Sequence, residues 1–541
     1  MNKLNILQPN YTAFDKTYQL RIPFETEFLI PQNDSVRLLS QIVEGMDLSG
    51  LYDTYSRIGK IEVSPRIMTK ILVYAYMQGI YSARGIESAC RRDINFWYLL
   101  EGHDAPDYST IARFRTIHFQ QCAEDIFVQL VQFLKESGEI DCKSIFIDGT
   151  KIEANANRYS FVWKKSVNKY QTSLFEKVAV SYEEWSERYG LTGILDGDIS
   201  KESLEKAISE LKNICSEEHI VFVSGKGKHK SQLQRDIETA EGYLSKMKSY
   251  EEAIAICGRR NSYSKTDHDA TFLHMKEDHM RNGQLKPGYN LQVGSDSGYA
   301  VWAALFPDPN DTKTLIPFLS KLEEKLKFKY GTVVADSGYE SEENYTYLEE
   351  HDIRAMIKPS NYEISKTRKF KHDISRRENM DYDLEHDQYT CRAGKVLKKV
   401  YERAKKSTAG YKTRASVYEC EDCSGCPFKS RCIKGNNSKT PFEERNKKLM
   451  VSRKFEEQRK ESLGNITTDE GCMLRMNRSI YAEGVFAEIK EDRKFKRYLC
   501  RGRPNVLTET LLILIAQNIE RLHRKIQNRK TGEHLHPLKV A

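Results

Sequence analysis

The sequence predicts an α/β protein whose core is interrupted twice and preceded by an all-helical domain. Three observations carry this. Residues 35–135 place apolar side chains at helical spacing, with no strand pattern between them. From residue 144, short apolar runs and helical stretches follow in the order strand, strand, strand, helix, strand, helix, strand. Two segments, 166–261 and 361–469, break that order by being charged and helical, and basic and cysteine-rich, respectively.

The helical domain is expected over 1–140. Arg66 to Met77 repeats apolar residues at helical intervals, and Asp107 caps a short basic helix containing Arg113 and Arg115. The core is expected over 141–165, 262–360 and 470–526. Its first strand, Ser144 to Ile147, ends at Asp148, and Gly149 permits a sharp exit. Segment 166–261 reads as a helical hairpin, with Glu202–Cys215 and Ser231–Cys257 as its arms and residues 225–230 as its tip. Strands return at Gly288–Gly294 and Tyr299–Leu305, and Asn310-Asp-Thr312 caps a helix through Lys327. Gly331–Ala335 is a strand ending at Asp336, Ser341 opens a helix, and Arg354–Lys358 is a last strand. Helices over Leu474–Lys490 and Val506–Lys525 close the core, and 527–541 is a tail.

At 541 residues the chain exceeds one ordinary core, and its 39% hydrophobic and 30% charged content suits a soluble globular protein. No apolar run could span a bilayer; Leu511–Ala516 reads as a buried turn and a half of helix. Met1–Ile6 lacks the apolar core of a signal peptide, so a cytoplasmic location and no membrane partner are expected. Net charge is +8, but 490–541 alone carries +8 and 391–440 carries +9, leaving −9 elsewhere. Two basic segments on an acidic chain suit a polyanion as partner, or simply solvated faces.

Asp148 and Asp336 each stand just past a predicted strand, where an open α/β sheet places active-site groups. Rigid, exposed carboxylates suit hard divalent cations such as Mg²⁺. Taken singly, either aspartate is also an ordinary turn residue.

Several stretches resemble one family. Phe146-Ile-Asp-Gly-Thr-Lys-Ile-Glu-Ala-Asn-Ala-Asn157 is similar to the first-aspartate motif of bacterial insertion-sequence DDE transposases, and closest to the insertion sequence 1182 family. Ala335-Asp-Ser-Gly-Tyr339 resembles the second-aspartate motif, Lys286–Gln292 the strand between them, and Pro65–Arg115 the N-terminal helical domain. The resemblance implies a ribonuclease-H-like core and a third acid on a late helix. Glu483 and Lys490 fit the Glu-x6-Lys half of the motif Tyr-x2-Arg-x3-Glu-x6-Lys. The other half departs: Met476 and Ser479 replace Tyr and Arg, and Arg478 stands one position early. Glu488, five positions from Glu483, reads as a solvated helix acid.

The resemblance also implies two Mg²⁺ ions, or Mn²⁺, held by Asp148, Asp336 and Glu483. It implies metal-dependent cleavage of transposon ends in double-stranded DNA, then attack of the freed 3′-hydroxyl on target DNA. Lys490, Arg497, Arg501 and Arg503 would follow the DNA backbone, Arg113 and Arg115 would serve end recognition, and the protein would act as a homodimer. Two rivals remain: a nuclease of the same fold without strand transfer, and a domesticated zinc-containing DNA-binding protein.

Eight of the 12 cysteines are scattered and form no disulfide pattern. The other four, Cys420-x2-Cys423-x2-Cys426-x5-Cys432, have spacing that can wrap one structural Zn²⁺. An iron–sulfur cluster, or no stable metal, fits the same run less closely, and Cys391 could replace one ligand.

Overall fold

Helices alone form the N-terminal region: α1 (Ser35–Glu44), α2 (Ser49–Tyr52), α3 (Pro65–Met77), α4 (Ala83–Cys90), α5 (Ile94–Leu100), α6 (Tyr108–Arg113) and α7 (Gln120–Glu136). Asp107 caps α6 by accepting from the Thr110 amide, and a π-helical turn at Phe114–Phe119 joins α6 to α7. The computed structural model describes residues 29–56, 63–191, 200–225, 227–275, 283–407, 410–435 and 440–538. Met1–Ile6 and Lys226 of the expected hairpin tip lie outside the described residues.

A mixed sheet follows. Its strands are β1 (Ser144–Glu153), β4 (Thr271–His274), β5 (Leu285–Asp296), β6 (Tyr299–Phe306), β7 (Thr332–Ala335) and β8 (Arg354–Ile357), while β2 (Phe161–Trp163) and β3 (Ser262–Ser264) pair separately. The order is β4-β5-β1-β7-β8, with β6 also pairing β5. β5 runs antiparallel to β1, and β7 and β8 run parallel to it. Against the sequence expectation, β1 does not stop at Asp148 but runs on to Glu153 against β5. Gly149 serves close packing instead of a turn, since a Cβ there would stand 2.3 Å from Gln292 Nε2.

Segment 166–261 is also more than a hairpin. α8 (Lys164–Tyr189), α9 (Lys201–Glu217) and α10 (Gln232–Cys257) bury Leu174, Val178, Trp185, Leu204, Leu211 and Ile237 in a core of their own. α11 (Leu315–Leu326) and α12 (Glu342–Glu350) flank β7, and Ser341 caps α12 by accepting from the Asn344 amide. Asn310 makes no side-chain cap; a short 3₁₀ turn, Asp311–Lys313, precedes α11.

After α13 (Tyr362–Ser365) and α14 (Arg368–Lys371) comes a second, antiparallel sheet. It comprises β9 (Asp381–Asp383), β10 (Gln388–Thr390), β11 (Val396–Lys406), β12 (Lys412–Cys420) and β13 (Lys448–Val451), in the order β13-β12-β11-β10-β9, with α15 (Lys429–Cys432) before β13. Then α16 (Arg453–Thr467), α17 (Asp469–Ala487) with a π turn at Glu488–Asp492, and α18 (Arg503–Gln527) return to the first sheet.

The main apolar core joins the helical domain to this sheet. Tyr76 and Phe114 share one cluster with Ile145, Val293, Trp302 and the buried run Leu511–Ala516 of α18. The tail folds back: the His536 carbonyl accepts from Asn477 Nδ2 of α17 at 2.9 Å. No described helix is long and apolar enough to cross a membrane.

Candidate carboxylate site

The register of two parallel strands brings the aspartates together. Ile147 of β1 pairs with Ala335 of β7, so Asp148 and Asp336 are the next residues on neighbouring strands. Side chains alternate along a strand. Ile147 and Ala335 point into the main core, while Phe146 and Val334 point to the opposite face. Asp148 and Asp336 follow the second pair in phase. That face is covered by α17, whose Leu474, Tyr481 and Ala482 pack with Phe146, Val334 and Met356. Tyr481 meets Phe146 edge-on, with ring centroids 5.7 Å apart. The helix that closes this face also carries Glu483.

Each aspartate is steadied locally. Asp148 is buried and its Oδ1 accepts from the Gly149 amide at 2.8 Å. Asp336 Oδ1 accepts from the Gly338 amide at 2.7 Å. Glu483 is different: its side chain is 59% exposed. Arg478, five residues before it on the same helix, lies between the two acids. Its Nη1 is 3.7 Å from Asp148 Oδ2 and its Nη2 is 3.7 Å from Glu483 Oε1. Arg478 Nη1 is buried without a hydrogen-bond partner among the described residues. The arginine is thus a cation held against two carboxylates.

A fourth carboxylate, Asp311, lies nearby, against the Gly149 side of β1. Its Oδ1 accepts from Gln292 Nε2 at 2.8 Å and Asn290 Nδ2 at 3.0 Å. A Cβ on Gly149 would approach that oxygen to 3.0 Å, and one on Gly338 would approach Asp311 Oδ2 to 3.4 Å. Asp311 therefore stands between the Asp148 and Asp336 motifs. Buried Tyr339 donates to Gln292 Oε1. Burial drives its phenol well above the ordinary value, and Asp311, Asp148 and Asp336 add to the rise. A sequence signal for Asp311 existed: Asn290 and Gln292 are polar residues on one face of an otherwise apolar strand, and they need a partner.

Among the described residues, no three His, Cys, Asp or Glu side chains stand close enough to share one ion in this arrangement. The donor chemistry of Asp148 and Asp336 is that of a hard cation, carboxylate oxygens at neighbouring strand ends, and in this arrangement the cation beside Asp148 is Arg478.

Glu488 is not the solvated acid expected. Its side chain is only 10% exposed, and its carboxylate accepts from Arg524 Nη2 at 2.8 Å and Gln517 Nε2 at 2.9 Å. It begins the π turn, which alters the helical phase after Ala487; for the same reason Lys490 does not stand two regular turns from Glu483. Arg115 is also buried, donating to the Tyr81 carbonyl and the Tyr76 hydroxyl, so it faces the core instead of a duplex. Arg113 is exposed. Arg497 and Arg501 are exposed but donate to carbonyls of residues 154–156, and Arg503 donates to Leu305. Arg497 and Arg501 thus brace the chain after β1, and Arg503 braces β6.

The cysteines converge away from this site. Cys391, Cys420, Cys423, Cys426 and Cys432 line one small cavity of about 20 Å³. All five are unbridged, and Cys423 Sγ accepts from the Lys447 amide at 3.3 Å. Burial pushes the Cys420 thiol up to about 11, with the neighbouring Cys423 contributing. Cys420 and Cys423 are buried and the other three half-buried, and among the described residues no three of them stand close enough to share one ion in this arrangement.

Residues 390–523 match the family model described as a transposase DDE domain, and residues 24–116 match that of a transposase domain (DUF772). The first match includes Glu483 but neither Asp148 nor Asp336. No curated protein and no solved structure matches the chain.

Proposed function

We propose a reaction for a chain whose two matched segments identify it as an insertion-sequence DDE transposase: it cuts the ends of a mobile DNA element and joins them to target DNA. The pair of segments also fits the insertion sequence 1182 family, to which we assign it. One observation carries the proposal. Asp148 and Asp336 follow register-paired residues on parallel strands, and the helix over that face supplies Glu483. The order β6-β5-β1-β7-β8, with β5 antiparallel, supports a ribonuclease-H-like core.

Asp148, Asp336 and Glu483 would hold divalent cations, Mg²⁺ or Mn²⁺, which supply activation of the attacking oxygen and stabilisation of the leaving one. The sheet fixes the two aspartates before DNA arrives. Glu483, exposed and lightly held by Arg478, is free to turn inward. Arg478, released from Asp148, can then take a phosphate oxygen of the bound strand. Arg113, Lys490, Arg497, Arg501 and Arg503 offer donors to the DNA backbone, which position a duplex without reading its sequence. Cys420, Cys423, Cys426 and Cys432 would bind a structural Zn²⁺, with Cys391 beside them. A homodimer would hold two ends together.

The test uses the purified chain, duplexes carrying its element's own ends, and Mg²⁺. Cleavage at the ends, with joining of a precut end to a target plasmid, is expected. Asp148→Asn and Glu483→Gln should abolish both. Cleavage without joining would favour a nuclease of this fold, and undiminished cleavage by Asp148→Asn would overturn the site.

A further inference from the structure

The second sheet contains an arm that neither the core nor the cysteine cluster uses. β11 is exposed from Lys398 to Lys406, while its partner β12 is buried from Ala415 to Val417 and paired with β13 beyond Ser416. Beyond that point only two strands remain, Arg403–Lys406 against Lys412–Ala415. Residues 403–414 contain Arg403, Lys405, Lys406, Lys412 and Arg414 and no acid. All five are exposed, and none makes a salt bridge among the described residues. Elsewhere on this sheet cations are paired, as in Lys398–Glu421, Lys399–Glu402 and Lys448–Glu419. Glu402 lies near Arg414, but the five cations still outnumber the acids beside them, and such a surplus on a narrow ribbon repels itself unless an anion lies along it.

The ribbon is also tied to the carboxylate site. Tyr411 Oη donates to Glu342 Oε1 at 3.0 Å, Thr413 Oγ1 donates to Glu342 Oε2 at 2.7 Å, and Tyr411 and Thr346 hydroxyls are 3.1 Å apart. Glu342 opens α12, six residues after Asp336. Whatever the ribbon holds is therefore indexed to the Asp336 strand. A bulge at Val400, where the register shifts between Lys399 and Tyr401, sets the ribbon's twist.

We propose that the β11–β12 ribbon is a duplex-DNA backbone clamp, in which Arg403, Lys405, Lys406, Lys412 and Arg414 take phosphates and α12 fixes the duplex relative to the carboxylates. A two-stranded ribbon fits a DNA groove, and phosphate contacts need no base sequence. The proposal rests on the transposase reading for the identity of the polyanion.

The test is the salt dependence of binding to two duplexes of equal length, one with an element end and one without. It compares wild type with a variant carrying alanine at all five positions. Each phosphate contact removed should make the slope of log K against log salt shallower by about 0.9, so a loss of ~3 or more, with binding on the order of 100-fold weaker, is expected on both duplexes. A second variant exchanging Lys for Arg and Arg for Lys at these positions should keep the wild-type slope. An unchanged slope in the alanine variant, with wild type still binding, would overturn the clamp alone. A loss confined to the end-bearing duplex would overturn it too, because base contacts would then be responsible. If wild type binds neither duplex, the transposase reading and the clamp fall together.

Discussion

Two glutamates five residues apart on one helix are assigned opposite roles, and a pair of substitutions separates them. Glu488 is buried between Arg524, Gln517 and Arg493, the last at 3.5 Å. Removing one partner of a buried ion pair costs about 3–5 kcal/mol, because the remaining charges stay desolvated. Arg493 keeps Glu520 and Arg524 is half exposed, so no charge is left buried and unpaired, and the expected loss for Glu488→Gln falls to that of its charged hydrogen bonds, about 2 kcal/mol. Glu483 is mostly exposed, and its charged neighbour Arg478 is 3.7 Å away. An exposed change of that kind shifts stability by no more than about 0.5 kcal/mol. The assay pairs urea unfolding, followed by circular dichroism, with Mg²⁺-dependent end cleavage well below the lower midpoint. Glu483→Gln should unfold like wild type and cut nothing. Glu488→Gln should unfold earlier and still cut while folded. The reverse pattern, a stable but inactive Glu488→Gln beside an active Glu483→Gln, would refute the assignment and make Glu488 the third acid.

Three further outcomes are expected. Asp311→Ala should raise the Mn²⁺ concentration needed for half-maximal cleavage by about 10–100-fold, as loss of a supporting group does at metal sites; an unchanged requirement would deny Asp311 a supporting role. Burial raises the carboxyl of Asp296 to about 6, against an ordinary 3.8, so the folded chain holds an extra proton between those values. Stability should fall as pH rises through that window, by up to about 3 kcal/mol in all, and Asp296→Asn should flatten the slope in urea titrations. The purified chain should carry one zinc by elemental analysis, and Cys423→Ser should lose it and lower the unfolding midpoint, whereas a metal-free wild type of equal stability would dismiss the zinc site.

Much of this site is written as local pattern. Ile145-Phe-Ile-Asp148 and Val333-Val-Ala-Asp336 are apolar runs ending in carboxylates, and the sheet pairs their last apolar residues directly. Asp311 was hidden because its neighbours are made by β5, not by its own segment, where Asn310-Asp-Thr reads as a helix start. Glu488 reads as solvated only while a regular helical phase runs past Ala487, and the π turn breaks that phase. Arg115 looked available on a basic helix, yet the turn at Phe114–Phe119 carries it into the core. The second sheet was illegible because β11 is polar and exposed on both faces, so no alternation betrays it. The extra helix α8 is mostly polar along its length and buries only five side chains, Val167, Leu174, Val178, Tyr182 and Trp185, which weakens its periodic signal.

If Asp148, Asp336 and Glu483 hold the ions that cut DNA, those ions can be counted on the DNA-bound protein. Electron paramagnetic resonance of Mn²⁺ titrated into the protein bound to an end duplex reports bound ions without relying on turnover. Two ions per site are expected in wild type, with loss of at least one in both Asp336→Asn and Glu483→Gln and DNA affinity retained. The same number of ions, bound equally tightly, in wild type and both variants would contradict that role for the three carboxylates.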